Sequence, residues 1–198
     1  MKILYVINKM ENFAGIERIL SCKMNYLSEK TNHDIYLTTY EQYNNPLSFQ
    51  LNSKIIYIPI NSPIPQRSKL SFFRWVIAYF HTRKQFQYQF EKLLSNIHPD
   101  IVISTVYSYE IIDIIITVSN NKNIKTIFES HIKGDTVSMA KYQYNQILFR
   151  LFTFWDYHIM KSLKNCNCIV TLTKEDASYW KKYAKNALSF VLIVTNNS

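Results

Sequence analysis

Residues 2–27, KILYVINKMENFAGIERILSCKMNYL, constrain the fold most, because they predict a strand, a short loop and a helix in that order. Residues 2–7 form a β-branched and aromatic run, too short for a helix and apolar enough to be buried on both faces, as a central parallel strand is. The apolar residues that follow recur at helical spacing, at Ile16, Ile19, Leu20, Met24 and Leu27. Residues 8–15 must therefore carry the chain from the carboxyl end of a strand into a helix that packs back on the sheet.

Gly15 comes just before this helix, where we expect a positive φ and close approach of a ligand to the backbone. The amino terminus of a helix also presents unpaired N–H groups and the positive end of the helix dipole, which suits a phosphate. The loop supplies only one of the three glycines in the nucleotide fingerprint G-x-G-x-x-G. A turn in which the glycine merely closes the corner is the alternative interpretation.

Strands and helices alternate along the rest of the chain. Further strands are predicted at 34–40, 54–60, 100–106, 125–131 and 168–172, with a last apolar run at 190–194. Helices are predicted at 70–96, 111–119, 137–164 and from the N-cap Thr173 to residue 185. This order predicts an α/β, Rossmann-like, doubly wound and mainly parallel sheet of six to seven strands with helices on both faces, ordered 3-2-1-4-5-6. The ligand crevice of such a sheet lies outside strands one and four, which nominates residues 8–15 and 105–109.

Composition limits the partners of the chain. Its 198 residues suffice for one domain with a full core, and its net charge of +9 favours an anionic partner: nucleic acid, a lipid headgroup or a phosphate-bearing substrate. Three cysteines without metal-ligand spacing predict a reducing compartment and no metal site. The chain begins with no signal-peptide pattern and contains no apolar run of membrane-spanning length, so we expect a cytoplasmic protein.

A basic and aromatic segment points to the membrane surface. From Gln42 to Phe90 there is no acidic residue, whereas six residues are basic and the second half is crowded with aromatic side chains. A helix of this kind can lie among anionic headgroups, which predicts peripheral attachment to the inner face of the cell membrane. The residues predicted at this surface are Arg67, Lys69, Arg74, Trp75, Arg83 and Lys84. The alternative is that the aromatic residues, such as the stripe Phe73, Ile77 and Phe80, pack the helix on the sheet.

Short motifs follow one another in a recognisable order. They are Gly15-Ile-Glu-Arg-Ile-Leu20, His33-Asp34, Pro99-Asp100, Glu129-Ser-His131, Cys168-Ile-Val-Thr-Leu-Thr-Lys-Glu175 and Val194-Thr-Asn-Asn197. In this order the motifs resemble the amino-terminal domain of bacterial GT-B-fold retaining glycosyltransferases of the family 4-like group 1. Ala14, Thr173 and Thr195 depart from that pattern, which has glycine, serine and proline at these positions.

The resemblance implies a retaining transfer of sugar from a nucleotide-sugar donor to a glycan or lipid-linked acceptor, as in polysaccharide, lipopolysaccharide or capsule biosynthesis. It implies neither a metal nor a cofactor. Nothing in the chain matches the Glu-x7-Glu motif of the nucleotide-binding second domain. We therefore expect residues 1–198 to be a single acceptor-binding domain, without the carboxyl-terminal domain and inactive by itself.

The resemblance and the predicted crevice together nominate site residues. His131 matches the family histidine that faces the donor sugar and is the predicted catalytic residue, while Gly15, Glu17 and Arg18 are predicted to bind the donor. The predicted acceptor-binding residues are Asn8, Tyr107, Ser108, Tyr109 and Glu129. Each has an ordinary alternative: a structural histidine, an acid favoured by the helix dipole, a solvated arginine, packing tyrosines, or a glutamate that only shares a strand face with the histidine.

Three other functions compete with sugar transfer. A non-catalytic phosphate- or sugar-binding module remains open, because half an enzyme would behave as one. A basic nucleic-acid-binding protein fits the charge, but the chain has no motif of that class, and we expect no nucleic-acid partner. A nicotinamide-dependent oxidoreductase shares the fold but needs two more fingerprint glycines and an acid at the end of strand two, where this chain has Thr38-Thr39-Tyr40.

Overall fold

The computed structural model of the protein describes residues 1–65, 69–105, 111–131, 161–181 and 187–189. The strands are β1 (Lys2–Ile7), β2 (Asp34–Thr39), β3 (Ile56–Tyr57), β4 (Ile101–Thr105), β5 (Lys125–Ser130), β6 (Cys168–Thr171) and β7 (Ala187–Ser189). The helices are α1 (Gly15–Lys30), α2 (Phe72–Ile97), α3 (Ile112–Asn121) and α4 (Lys174–Trp180), with a 3-10 turn at Leu163–Asn165.

The seven strands form one parallel sheet in the order β3-β2-β1-β4-β5-β6-β7. This confirms the predicted doubly wound order, with β7 added beyond β6. The order reverses beside β1, because β1 pairs with β2 on one side and with β4 on the other. In doubly wound sheets this switch point, outside the carboxyl ends of β1 and β4, is where the ligand crevice is expected.

Successive residues of β1 point into two cores. Ile3, Tyr5 and Ile7 pack with α1 on one face of the sheet. Leu4 and Val6 pack with α2 and α3 on the opposite face. Residues 3–7 are buried without a break, which is why β1 reads as a continuous apolar run rather than an alternating one.

The predicted third strand, 54–60, is shortened to Ile56–Tyr57. The chain still follows β2 beyond Tyr57, since the backbone N–H groups of Ile58 and Ile60 donate to Leu37 and Thr39 at 2.9 and 2.7 Å. Pro59 lies between them without removing a bond to β2, since the residues on both sides of it donate to that strand, and an edge strand tolerates its missing N–H.

Two helix ends follow from local chemistry. His98 takes a left-handed conformation with φ of 52° and donates its N–H to the carbonyl of Leu94, which ends α2 just before the Pro99-Asp100 pair. Thr173 caps α4 as predicted, because its side-chain oxygen accepts the N–H of Asp176 at 3.1 Å. The segments 132–160 and 190–198, which include most of the predicted helix 137–164 and the last apolar run, lie outside the described residues. Within the described ranges, no helix combines the length and the hydropathy needed to cross a bilayer.

Candidate functional site

The polar residues of interest collect at the carboxyl edge of the sheet. Asn8 follows β1, Thr105 ends β4, and His131 follows the last residue of β5. Gly15 begins α1 after the loop that leaves β1. Because parallel strands end at a common edge, the topology brings these segments together from distant parts of the sequence.

A buried group of charged and polar side chains, the Glu129 cluster, is formed by Glu129, His131 and Lys23. Both Glu129 and His131 have only 3% of their side-chain surface exposed, and Lys23 has 28%. One carboxylate oxygen of Glu129 accepts a hydrogen bond from the Lys23 ammonium of α1, and the other lies 3.2 Å from His131 Nε2. The carboxylate thus holds a histidine of its own segment and a lysine of α1 at the same time.

The charges of this cluster are coupled. Burial on its own raises the pKa of Glu129, but the hydrogen bond to His131 and the charge of Lys23 outweigh it, so the net pKa of Glu129 is lowered. Glu129 is therefore an anion at neutral pH. Burial first, and then the charge of Glu129, raise the pKa of Tyr5, which stays a neutral phenol with its ring 5.8 Å from the Lys23 nitrogen.

Some atoms of this region have no hydrogen-bond partner among the residues that the structure describes. They include Nδ1 of His131, the hydroxyl of Tyr5 and Oγ1 of Thr105. Buried polar atoms are nearly always paired, so unpaired ones at the edge of a crevice are where a polar ligand is best accommodated. Since Nε2 of His131 faces Glu129, Nδ1 is the ring nitrogen left without a partner among the described residues, and it is buried.

The predicted donor-binding residues are not grouped by the structure. Gly15 has no positive φ, and a Cβ added to it would meet nothing within 4 Å, so the expected backbone requirement for glycine is wrong. Gly15 simply begins α1, where helical dihedrals suit any residue. Arg18 is exposed, whereas Glu17 is 5% exposed and one of its carboxylate oxygens has no partner among the described residues.

Of the predicted acceptor-binding residues, Asn8 and Glu129 are described. Glu129 is buried in the Glu129 cluster, and Asn8 is tied to the end of β2. Its side-chain amide donates to Glu41 at 3.3 Å, and its carbonyl accepts the N–H groups of Tyr40 and Glu41. The other oxygen of Glu41 accepts the N–H of Ile64. Glu41 therefore connects the segments that follow β1 and β3. Tyr107, Ser108 and Tyr109 lie outside the described residues.

Sequence reasoning missed Lys23 and Tyr5. Lys23 stands three residues after Leu20 and one before Met24, so it interrupts the buried stripe of α1. A lysine within a buried stripe is costly to bury unless an acid lies close to it. This pattern is the signal in the sequence that could have identified Lys23. Its partner Glu129 is 106 residues away, which no local spacing reveals.

The residues predicted at a membrane surface divide into two groups. Lys69, Arg74 and Lys84 are exposed, and Arg67 lies outside the described residues. Arg83 is wrong as a surface residue, because it is buried, forms an ion pair with Asp113 at 2.5 Å and lies over the ring of Tyr79. Trp75 is half-buried, with its indole N–H donating to the carbonyl of Pro65 at 2.9 Å, so it serves packing.

No protein-family model matches the chain, and no curated protein sequence is similar enough to match it. Solved structures do match it in fold. The chain is similar to the apo form of the lipopolysaccharide outer core galactosyltransferase WaaB, with a TM-score of 0.59 and 14% identity over 95% of this chain and 44% of that one.

It is also similar to sucrose-phosphate synthase from Thermosynechococcus elongatus, with a TM-score of 0.64 and 14% identity over 96% of this chain and 47% of that one. A third similar structure is Arabidopsis thaliana UGT89C1 complexed with UDP-L-rhamnose, with a TM-score of 0.58 and 12% identity over 95% of this chain and 48% of that one. The fold is therefore the Rossmann-like fold of GT-B glycosyltransferases, and the chain spans less than half the length of these solved structures.

Proposed function

We propose that the chain is the acceptor-binding half of a glycosyltransferase that moves a sugar from a nucleotide-sugar donor to a glycan or lipid-linked acceptor. The observation that carries the proposal is the likeness of almost the whole chain to less than half of several GT-B glycosyltransferases. In this proposal, a second domain outside the 198 residues grips the nucleotide, and the carboxyl edge of the present sheet faces it across the crevice.

His131 is assigned the contact with the transferring sugar, through Nδ1. Glu129 fixes the ring from the other side at 3.2 Å, and Lys23 helps to keep Glu129 ionised. An imidazole held in this way can orient a sugar hydroxyl by a hydrogen bond in a site from which water is largely excluded. Asn8 and Glu129 at the carboxyl edge of the sheet, with Tyr107, Ser108 and Tyr109 from the sequence prediction, are assigned to the acceptor.

The finer features of the proposal come from the sequence motifs. They are transfer with retention and without a metal, and a bacterial polysaccharide, lipopolysaccharide or capsule pathway. Gly15, Glu17 and Arg18 remain predicted donor contacts. Gly15 and Arg18 are exposed at the start of α1, where unpaired N–H groups and the guanidinium suit a diphosphate.

Calorimetry and NMR titration of the 198-residue chain test the proposal. We expect weak binding of uridine and guanosine diphosphates, in the millimolar range, because the domain that would grip the nucleotide is missing, and we expect no sugar transfer. NMR shifts caused by nucleotide sugars should concentrate at His131, Lys23 and the start of α1. Sub-micromolar binding of a nucleoside diphosphate by this chain alone would contradict the division of labour between two domains.

The variant His131→Gln sharpens the test. Glutamine can still donate to Glu129, so the melting temperature should change little while the sugar-induced shifts at the crevice weaken. The matched control is His81→Gln, on the exposed side of α2, which should leave both quantities unchanged. If His131→Gln binds sugars like the parent, or if no sugar phosphate shifts any resonance of the Glu129 cluster, the assignment fails.

A further inference from the structure

Helix α2 exposes an apolar stripe to solvent. Phe73, Ile77, Phe80 and Tyr88 are 78%, 71%, 49% and 69% exposed. With Lys84 they occur at intervals of four, three, four and four residues, which places them on one side of the helix. Scattered exposed apolar residues are normal on a protein surface, but a continuous stripe on one helix is typical of an interaction site.

This stripe is separate from the face by which α2 packs on the sheet. The packing face consists of Tyr79, Arg83, Phe86, Phe90, Leu93, Leu94 and Ile97, all of them buried. The stacked rings of Phe86 and Phe90, 5.4 Å apart, lie in this core. The helix therefore has one apolar face that the fold uses and another that it leaves at the surface.

Within the described part of the chain, the exposed charged residues from Lys69 to Phe90 are all basic. Lys69, Arg74 and Lys84 are exposed, and no acidic residue occurs from Gln42 to Phe90. The acid nearest to this surface on the neighbouring helix, Asp113 of α3, is engaged by the buried Arg83. Glu91, one residue past the acid-free segment, accepts a hydrogen bond from Gln87 at 2.9 Å. An ordinary solvated face mixes charges of both signs, so this surface is complementary to an anionic partner.

A groove adjoins the stripe. It has a volume of about 310 Å³, lies between α2 and α3, and is lined by Phe80, Lys84, Gln87 and Thr117, with Arg83 and Asp113 also in its wall. Two members of the stripe, Phe80 and Lys84, therefore form part of its rim. Cationic and apolar groups around a shallow recess can accept a phosphate-bearing headgroup together with the first part of its chain.

Most of the stripe lies near the carboxyl edge of the sheet, where the candidate site is. The carboxyl end of α2 is fixed at the amino edge of the sheet, because the Lys2 ammonium donates to the carbonyl of Ile97 at 2.8 Å. At 1.5 Å per residue, the 26 residues of α2 span about 39 Å, roughly twice the length of β1. The amino-terminal half of α2, which carries most of the stripe, therefore reaches the carboxyl edge of the sheet.

We propose that this surface, Phe73, Ile77 and Phe80 with Lys69, Arg74 and Lys84, docks on a bilayer that contains anionic lipid. The apolar side chains enter the interface and the basic side chains contact headgroups. A second copy of the chain is the competing occupant of an apolar stripe. It fits less well, because a two-fold contact would bring the same three cations of both copies together. The inference is independent of sugar transfer, since its test measures binding alone.

Co-sedimentation of the 198-residue chain with vesicles tests the proposal. We expect binding to vesicles of phosphatidylcholine with phosphatidylglycerol, little binding to phosphatidylcholine alone, and weaker binding as salt is raised. A basic residue at an anionic surface strengthens binding about fivefold. Hence the triple variant Lys69→Gln, Arg74→Gln and Lys84→Gln should lose about 100-fold in partitioning.

Two comparisons separate the stripe from general charge. The control Lys30→Gln, Lys164→Gln and Lys181→Gln removes the same charge from exposed positions elsewhere and should bind almost like the parent. The pair Phe73→Ser and Ile77→Ser should weaken binding, whereas Tyr26→Ser on α1 should not. All of these positions are exposed, so circular dichroism melting should show each variant folded.

Three results would overturn the proposal: equal binding to neutral and anionic vesicles, an equal loss of binding in the triple variant and in its triple-lysine control, or no binding to either kind of vesicle. Self-association at micromolar concentration that Phe73→Ser and Ile77→Ser abolish, without any lipid binding, would assign the stripe to a second copy instead.

Discussion

The backbone conformation of Gly15 removes the structural reason for glycine that the sequence suggested. It occupies the first position of α1 without a positive φ, and the space around its missing Cβ is open. A side chain there meets no steric obstacle, so any role of Gly15 must depend on ligand approach rather than on its conformation.

Replacing Gly15 should therefore stabilise the fold. Gly15→Ala removes conformational entropy from the unfolded chain and should raise the free energy of unfolding by about 0.5 kcal/mol. Gly15→Pro should also be tolerated, because the first helical position suits proline and Ala14 before it is already extended, with ψ of 170°. Urea unfolding measures both variants. A loss of more than about 1 kcal/mol in either would mean that the backbone at this position does need glycine.

At the scale of single elements, α4 depends on its cap. It is short, with only seven residues, and Thr173 is the residue whose side chain satisfies one of its first N–H groups. Short helices are marginal without such contacts, since few hydrogen bonds offset the cost of starting the helix.

Thr173→Ala should lower the free energy of unfolding by about 1 kcal/mol. Ser178→Ala in the same helix is the control, because the Ser178 hydroxyl only bonds back to the carbonyl of Lys174 and its loss should be nearly neutral. Chemical denaturation of the two variants side by side gives the difference. Equal effects would show that the cap is not what holds α4.

Helix α2 also shows how far sequence patterns reach. The chain predicts its bounds to within two residues and its basic and aromatic character, but not which aromatic residues face the sheet. Both the buried and the exposed faces of α2 have apolar residues at helical spacing. The sequence pattern therefore fits either face as the packing face, and the contacts with the sheet decide which one is buried. For the same reason Arg83 was predicted among five cations at the membrane surface, although it is buried in an ion pair with Asp113, 30 residues later.

At the scale of the whole molecule, the strand order was predictable because right-handed crossovers leave few arrangements for alternating strands and helices. The Glu129 cluster was only partly predictable. Glu129 and His131 stand together in the sequence, but Lys23 reaches them from α1 across the face of the sheet. Such a long-range contact depends on how the elements pack, which neither spacing nor composition encodes.

We expect Lys23 to contribute to the free energy of unfolding through its ion pair with Glu129. Lys23→Met leaves the Glu129 carboxylate buried without its ammonium partner and should cost about 2 kcal/mol, less than for a fully buried pair because Lys23 is partly exposed. The double variant Lys23→Met and Glu129→Gln should recover part of this loss, since it removes the stranded charge. Lys30→Met at the exposed end of α1 is the control for the lysine change. Additive losses in the double variant would contradict the coupling.

The same cluster should make the stability of the fold depend on pH in the acidic range. Because the folded state lowers the pKa of Glu129, its contribution is fully present above the unfolded carboxyl pKa, about 4.3, and is lost as pH falls through the lower folded value. Melting temperatures from pH 7 to pH 2 should therefore fall less steeply for Glu129→Gln than for the parent. Parallel curves for the two proteins would argue against this assignment.

The pairing of β1 with β4 also bears on how the chain reaches this fold. Lys2 and Asp100 join the two strands through the Lys2 N–H and the Asp100 carboxylate at 2.8 Å, across a separation of 98 residues. At synthesis rates of roughly 5 to 20 residues per second, β1 leaves the ribosome about 5 to 20 s before its partner exists. During that interval, while the residues between β1 and β4 are being made, one hydrogen-bonding edge of an apolar strand has no native neighbour and is open to non-native pairing.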